Sequence, residues 1–340
     1  MSLMRPISPT PVGPAEPGRT LPPASPAGPS DGGGAGLDFH NDALEIAYRL
    51  VGIQSGRAWE QVKRRDGPDA DRHLPRGLAA GFADSLESGR AVAVLAVSSG
   101  LAITAAEMSS SAFGAIPGAV FDAALASLLL IVFAWRPAAR SARLLPFLAL
   151  VALIRPISLA AIVPRMSPLA WYAIAGLPLL VGAVLATRLM TEPARELHLR
   201  IERPLVDATV AAAGLIAGLV GYVLLTPVPL LAHPSPIGYV AMVAILGVFG
   251  GLLEELIFRG LVLSASIQAF GGTGTATAFA ALLAMALYWG SGSIPYMLLM
   301  AVVGGALGLA LLRGASLWGI GLSHGLMLAT IALLAQTALR

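Results

Sequence analysis

From residue 91 onward the chain alternates long apolar segments with short polar ones. Each apolar segment approaches the roughly 20 helical residues that cross a bilayer. The segments lie at about 91–108, 116–135, 144–163, 169–187, 205–227, 237–257, 274–290, 294–312 and 316–337. This pattern predicts an all-α fold, a polytopic transmembrane helical bundle of about eight or nine spanning helices.

The segment 144–163 departs from the pattern because Arg155 and Pro156 lie at its centre. An arginine at the bilayer centre costs about 2.5–3.5 kcal/mol on insertion scales unless it is paired. Proline removes a backbone hydrogen bond and kinks a helix. The sequence therefore predicts two half-helices or a re-entrant segment, with Asp122 or Asp207 as the partner of Arg155.

Residues 1–40 are rich in Pro, Gly and Ser and contain no apolar run. Such a segment buries too little apolar surface to offset its ordering entropy, which predicts a disordered tail. A polyproline ligand for a partner is the alternative. No signal peptide is expected, because the tail lacks an apolar central region.

Residues 41–90 are predicted to form a cytoplasmic amphipathic helix and a linker. Leu44, Tyr48 and Val51 fall near one face of a helix over 41–64, which ends in basic residues. This pattern suits a helix lying on an anionic leaflet. An ordinary packed soluble helix fits it equally well.

Glycines divide the membrane region into two predicted parts. Three pairs at four-residue spacing lie in the last five segments: Gly214 with Gly218, Gly247 with Gly251, and Gly304 with Gly308. This spacing lets helix backbones approach closely in lipid. We therefore expect accessory transmembrane helices over 91–204 and a tightly packed core over 205–340.

Composition supports a membrane protein and excludes several classes of site. Hydrophobic residues make up 56% of the chain and charged residues 12%, whereas soluble domains are about 25% charged. The chain has no cysteine, which excludes disulfides and thiolate ligands. No basic face with aromatics is visible, so no nucleic-acid partner is expected.

Arginines in the connecting segments predict an orientation. They cluster in two of the loops, as Arg136, Arg140 and Arg143, and as Arg188, Arg195, Arg200 and Arg203. By the positive-inside rule these loops and the N-terminal tail are predicted to be cytoplasmic.

Residues 250–260 read Gly-Gly-Leu-Leu-Glu-Glu-Leu-Ile-Phe-Arg-Gly and carry the most concentrated charge of the apolar region. Glu255 and Arg259 are four residues apart and can pair on one helix face. Glu254 then faces elsewhere, towards a cavity in which a shielded carboxylate can act as a general base. The alternative is an inert charge cluster at a helix end.

His324 is the only histidine within a predicted span, and Tyr288 and Trp289 end another span. A histidine inside a membrane helix suggests function, with the Glu254 site as its expected partner. A histidine that only bonds a neighbouring helix is the alternative. Tyr288 and Trp289 have the pattern of interfacial anchors.

Glu-Glu-Leu-Ile-Phe-Arg-Gly at 254–260 resembles the EExxxR motif of the CPBP family, the CAAX-protease and bacteriocin-processing (Abi) intramembrane proteases. The order of the following elements is also similar, ending in Ser316-Leu-Trp318 and His324. The resemblance covers about 205–337. It implies a multi-pass protein of the bacterial inner membrane that binds lipid and cleaves membrane-associated peptides or protein tails.

The resemblance also implies roles for the charged residues. Glu254 would activate water, Glu255 and Arg259 would orient it and hold the helix, and His324 would stabilise the oxyanion or assist a metal. If a divalent metal such as zinc is bound, its candidate ligands are Glu254 and His324. A further membrane-protein partner is conceivable on the same grounds.

Two positions depart from the family pattern. The expected FxxxH motif falls at Met285 to Trp289, so Trp289 replaces its histidine, and Leu328 stands where an asparagine is expected. These departures make a metal site hard to build. Three functions therefore stay open: an intramembrane endopeptidase, a catalytically degenerate binding or assembly subunit, and a transporter suggested by Arg155.

Overall fold

The computed structural model describes residues 89–135, 141–160, 167–191, 193–231 and 235–338. The predicted tail over 1–40 and the predicted amphipathic helix over 41–64 lie outside the described residues. So do two of the arginines used for the orientation, Arg136 and Arg140.

Within the described ranges every long regular element is a helix. The helices are α1 Gly89–Phe113, α2 Ala115–Trp135, α3 Leu144–Ala152, α4 Ile154–Ala160, α5 Pro168–Thr187, α6 Pro204–Leu224, α7 Pro236–Phe270, α8 Thr273–Ala286, α9 Ile294–Leu312 and α10 Leu317–Thr337. Of these, eight are long and apolar enough to cross a membrane. The all-α membrane fold is thus confirmed.

The predicted third span is the exception. Its helix breaks at Leu153 into α3 and α4, which confirms the prediction of two half-helices. Arg155 at the start of α4 pairs with Glu107 of α1: its Nε donates to Oε1 at 3.0 Å, and its Nη2 contacts Oε2. A carboxylate from a third helix thus neutralises the arginine on which the transporter hypothesis rested.

The predicted partners of Arg155 were wrong. Asp207, at the start of α6, instead accepts the backbone N–H of Ser316 at 2.7 Å and so supports the beginning of α10. Asp122 is buried on α2, with one carboxylate oxygen unbonded among the described residues. Hydrophobic pattern alone does not say which buried carboxylate faces a given arginine, and Glu107 lay at the edge of its predicted span.

Serine side chains begin four of the spanning helices. Ser167, Ser235, Ser293 and Ser316 each accept a backbone N–H from the first turn that follows, at 3.1–3.3 Å. A side-chain oxygen at this position satisfies one of the amide groups that a helix start leaves unbonded. Proline then occupies the first turn in α5, α7 and α9, where its missing N–H costs nothing.

The described parts of the two arginine-rich segments, Arg143 and residues 193–203, lie at one end of the bundle. Arg143, before α3, donates from Nη1 to Thr191 Oγ1, after α5, at 2.7 Å. The stretch that follows Thr191 then reaches α7 and α10, where Ser264 and Trp318 donate to backbone carbonyls at 3.0 and 3.1 Å. The shared end agrees with the grouping of these segments by charge, and its cytoplasmic location stays a prediction.

Helix α7 is 35 residues long, or about 52 Å at 1.5 Å per residue. The sequence predicted an end at residue 257, and this was wrong: the helix continues to Phe270 and stops where Gly271 takes φ +69°. Wider π-helical turns over Leu246–Leu252 and Leu256–Val262 flank an α-helical turn at Leu253–Glu255. Such turns are frequent at functional sites.

Glycine contacts bring α10 against α7 and α6. A Cβ on Gly251 would meet backbone atoms of Gly321 and Gly325, and a Cβ on Gly214 would meet the Ser323 carbonyl. Gly214 and Gly251 thus lie at close helix contacts, as their spacing predicted, whereas a Cβ on Gly247 would meet nothing within 4 Å. These contacts place the middle of α10, including His324, beside the middle of α7.

Helix α5 packs against α7 across the proposed boundary at residue 204. A Cβ on Gly176 would overlap the Phe249 ring, which lies five residues before Glu254. The division into accessory helices and core stays a prediction, but α5 is close to the charged part of α7.

Candidate functional site

The structure brings together all four charged residues that the sequence singled out. Glu254, Glu255 and Arg259 lie on α7, and His324 on α10 lies opposite them. Their exposures are 5%, 0%, 3% and 2%. The cluster is therefore buried inside the bundle, and the alternative of a charge cluster at a helix end does not hold for its position.

Glu255 is the hub of an ionic network. Its Oε1 accepts Nη1 of Arg259 at 3.0 Å and Nδ1 of His324 at 2.8 Å. The predicted pairing of Glu255 with Arg259 is thus confirmed. Arg259 also donates from Nε to the Gly304 carbonyl at 3.4 Å, so the network joins α7 to both α9 and α10.

Glu254 points to the opposite side of the same histidine. Its Oε2 accepts the hydroxyl of Tyr288 at 2.7 Å and lies 3.8 Å from Nε2 of His324. The Tyr288 hydroxyl is 3.3 Å from that nitrogen. Glu254 thus faces away from Arg259, as its spacing predicted, and forms a three-residue cluster with Tyr288 and His324.

Tyr288 is the site residue that the sequence did not identify. It was predicted to be an interfacial anchor, yet it is only 2% exposed and bonds Glu254. The family's second motif, aligned on the sequence, places its histidine position at Trp289. That residue is half-buried and begins the short helical turn that follows Tyr288. No signal in the sequence marks Tyr288, because the burial that makes its hydroxyl need a polar partner follows only from the packing.

The bonding pattern assigns both protons of His324. Glu255 as a carboxylate can only accept, so Nδ1 donates. Tyr288 gives its single hydroxyl proton to Glu254, so Nε2 can bond the phenol oxygen only as a donor. Both contacts are satisfied when each ring nitrogen acts as the donor.

Leu328 fills the position at which the resemblance places an asparagine. It is 3% exposed and packs where a Cβ of Gly250 would lie, one turn before Glu254. An apolar side chain here donates no hydrogen bond, so the family's expected amide is absent from this position.

The residues present do not fit a zinc site. Nδ1 of His324 is bonded to Glu255, which leaves Nε2 and the Glu254 carboxylate as donors, whereas catalytic zinc takes about three protein ligands. Within the described ranges no three His, Cys, Asp or Glu side chains are grouped to hold a metal ion.

Two more tyrosines surround Glu254. The Tyr296 ring on α9 packs edge-on against Tyr288, with centroids 5.8 Å apart at 76°. Tyr172 on α5 is buried, and its hydroxyl, like that of Tyr296, is near enough to interact electrostatically with the Glu254 carboxylate. Tyr288 thus bonds the Glu254 carboxylate, and the phenol groups of Tyr172 and Tyr296 are close enough to interact with it.

Comparison with known proteins gives a family match for this part of the chain. The sequence model of a family described as "Type II CAAX prenyl endopeptidase Rce1-like" matches residues 236–330. The match extends from the start of α7 into α10 and includes the four predicted site residues and Tyr288. No curated protein and no solved structure matches the chain. This multi-pass membrane protein therefore carries, over residues 236–330, a domain of the Rce1-like CAAX endopeptidase family, in agreement with the CPBP resemblance.

Proposed function

We propose that the chain is an intramembrane endopeptidase that hydrolyses peptide bonds in membrane-associated peptides or protein tails. The observation that carries the proposal is the buried cluster of Glu254, Tyr288 and His324, which sets a carboxylate 3.8 Å from a histidine nitrogen. The family of the matched domain supports the same class of reaction.

Glu254 is the base of the proposed reaction. Its carboxylate takes a proton from water while the water oxygen forms a bond to the carbonyl carbon of the peptide. The resulting tetrahedral oxyanion collapses, the C–N bond breaks, and the proton held by Glu254 passes to the departing nitrogen. One peptide and one water thus give a carboxylic acid and an amine.

His324 stabilises the charge that develops on the carbonyl oxygen. Its Nε2 proton lies on the same side as Glu254 and is close to the Tyr288 hydroxyl. A positioned donor in a water-poor site is worth more than the same donor in water, because it needs no reorganisation during the reaction.

Glu255 and Arg259 act through the histidine. Their bonds hold the His324 ring in one orientation and keep its Nδ1 proton engaged. A carboxylate behind a catalytic imidazole plays this orienting role in other hydrolases. This proposal gives the four charged residues two distinct tasks, chemistry for Glu254 and His324 and positioning for Glu255 and Arg259.

The surroundings of the bundle favour a substrate that comes from the membrane. Large apolar side chains on the outer helix faces are strongly exposed, among them Leu205 at 82%, Val223 at 81% and Ile237 at 84%. Such apolar faces are suited to contact with lipid. They are also suited to a peptide that is anchored in the lipid. The proposed partners are membrane lipid and membrane-associated peptides, at a bacterial inner membrane with the N-terminal tail cytoplasmic.

Turnover by the purified full chain tests the proposal. Quenched fluorescent peptide libraries, including peptides with an apolar anchor, are incubated with the wild type and with Glu254→Gln in matched detergent micelles. Removing the base should lower turnover by ~10²–10⁴-fold. The control is Glu202→Gln, the same change at an exposed position between α5 and α6, which should keep wild-type turnover.

One observation favours a second function. The apolar Leu328 replaces an expected hydrogen-bond donor, which suits a degenerate family member that binds membrane segments as an assembly subunit. That function predicts no cleavage by the wild type and saturable binding of the same anchored peptides. Equal, low signals from wild type and Glu254→Gln would contradict the endopeptidase.

A further inference from the structure

The hydroxyl of Tyr172 is a buried polar group with no assigned role. Tyr172 is 2% exposed, and its hydroxyl has no hydrogen-bond partner among the described residues. Buried hydroxyls in native proteins are nearly always bonded to protein, water or ligand. The Tyr172 hydroxyl is therefore available to bond a polar atom that the described residues do not supply.

The surroundings of this hydroxyl show where such an atom would lie. Tyr172 interacts electrostatically with Glu254, and Tyr288 feels the Tyr172 group as well as the Glu254 carboxylate. Yet Tyr172 bonds neither of them. The hydroxyl is thus close enough to the proposed base to interact with its charge, although no hydrogen bond joins the two.

The position of Tyr172 is held from both sides. The Trp171 indole donates to the Ser158 carbonyl at 2.8 Å, and its ring meets the Tyr172 ring edge-on at 5.1 Å and 81°. One turn later, Gly176 lets α5 approach Phe249 of α7. A ring fixed in this way presents its hydroxyl at a constant place, which is what a donor to a reacting atom requires.

We propose that Tyr172 donates a hydrogen bond to the carbonyl oxygen of the scissile peptide bond and to the oxyanion that forms from it. This inference rests on the proposed endopeptidase function and adds a catalytic residue to it. Tyr172 lies outside the matched residues 236–330. The donor therefore comes from α5, in the part of the chain predicted to be accessory.

The proposal also accounts for Leu328. The family resemblance expects an amide donor at that position, and an apolar side chain stands there. The Tyr172 phenol, which lies on another helix and interacts with Glu254, supplies a donor in its place. The proposed ligand is a peptide amide. Its carbonyl oxygen accepts hydrogen bonds from the Tyr172 hydroxyl and from Nε2 of His324. Its carbonyl carbon faces the water molecule held by Glu254.

Tyr172→Phe removes the hydroxyl and keeps the ring. With a peptide that the wild type cleaves, we expect kcat to fall by ~10²-fold, the lower range for loss of one oxyanion donor. KM should stay within about twofold, because the bond strengthens only as charge develops. The thermal unfolding midpoint should not fall, since the hydroxyl has no protein partner to lose.

Tyr239→Phe is the matched control. Tyr239 is on α7, and it precedes Glu254 by 15 residues, or about 22 Å along the helix. The same loss of a hydroxyl there should leave kcat and KM at wild-type values.

Each remaining outcome has a definite meaning. Wild-type kcat in Tyr172→Phe, alongside loss of turnover in Glu254→Gln, would overturn the role of Tyr172 and leave the endopeptidase standing. A kcat loss accompanied by a lower unfolding midpoint would show a structural role and also overturn it. If the wild type and Glu254→Gln are equally inactive, the proposed function fails, and the role of Tyr172 fails with it.

Discussion

His324 donates from Nδ1 to Glu255 Oε1 at 2.8 Å, and this bond joins α10 to α7 in the middle of the bundle. The same oxygen accepts from Arg259 at 3.0 Å. One carboxylate oxygen thus receives two nitrogen donors in a site that is almost completely shielded from water. The orientation of the histidine consequently depends on a residue that does not itself face Glu254.

A first prediction concerns this shared oxygen. Arg259→Met leaves the buried Glu255 carboxylate without its guanidinium, so we expect a loss of about 3–5 kcal/mol in the free energy of unfolding. Glu255→Gln alone should also destabilise the chain, because Arg259 then becomes the uncompensated charge. The double variant should lose clearly less than the sum of the two, since it leaves neither charge unpaired.

Reversible unfolding in mixed micelles measures the three variants. Glu202→Gln, a charge removal at an exposed position, should change the free energy by less than about 0.5 kcal/mol. Additive losses in the double variant would mean that the two side chains do not act as a pair, contrary to the observed contact.

A second prediction separates two adjacent aromatic residues. Tyr288→Phe removes the donor that bonds Glu254 at 2.7 Å, so turnover should fall by ~10²-fold, as for loss of one positioned donor. Trp289→Phe changes a half-buried neighbour that forms no hydrogen bond to the charged cluster among the described residues, and its turnover should stay close to that of the wild type. Cleavage rates of one peptide by both variants make the comparison.

The reverse result is informative about the second motif. A large loss of turnover in Trp289→Phe, with little change in Tyr288→Phe, would support the motif alignment in which Trp289 takes the place of the histidine. It would also remove Tyr288 from the proposed site.

The sequence predicted the charged half of the site because charges are conspicuous in apolar segments. Glu254, Glu255, Arg259 and His324 each interrupt a hydrophobic pattern, and an isolated charge in a membrane is costly without a partner. Their convergence could be expected from that cost. The i, i+4 spacing also fixed the pairing of Glu255 with Arg259.

The tyrosines and the true length of α7 could not be predicted in the same way. In the sequence, Tyr172 and Tyr288 look like any other aromatic residues in an apolar segment. Only the packing of their segments against α7 brings the two hydroxyls close to Glu254. Likewise, the charges at 254–259 looked like the end of a helix. They lie inside it because residues of α9 and α10 neutralise or bond them.

A third prediction concerns Leu328. Leu328→Asn introduces the amide that the family resemblance expects, but the side chain packs at Gly250 in an apolar environment. An unbonded buried amide should cost about 1–3 kcal/mol in the free energy of unfolding. Leu328→Met, which roughly preserves volume, should cost less than about 1.5 kcal/mol. Equal stability of the two variants in mixed micelles would show that a polar partner for position 328 exists after all.

A fourth prediction uses two adjacent glycines on α9. A Cβ on Gly304 would overlap the Arg259 guanidinium, whereas a Cβ on Gly305 would meet no atom within 4 Å. Gly304→Ala should therefore displace Arg259 from Glu255, lower the unfolding midpoint and reduce cleavage. Gly305→Ala should keep both properties or raise stability slightly, because alanine favours a helix over glycine by about 1 kcal/mol. Matched unfolding and cleavage measurements decide between them: if both variants behave alike, the close approach of α9 to Arg259 does not support the network.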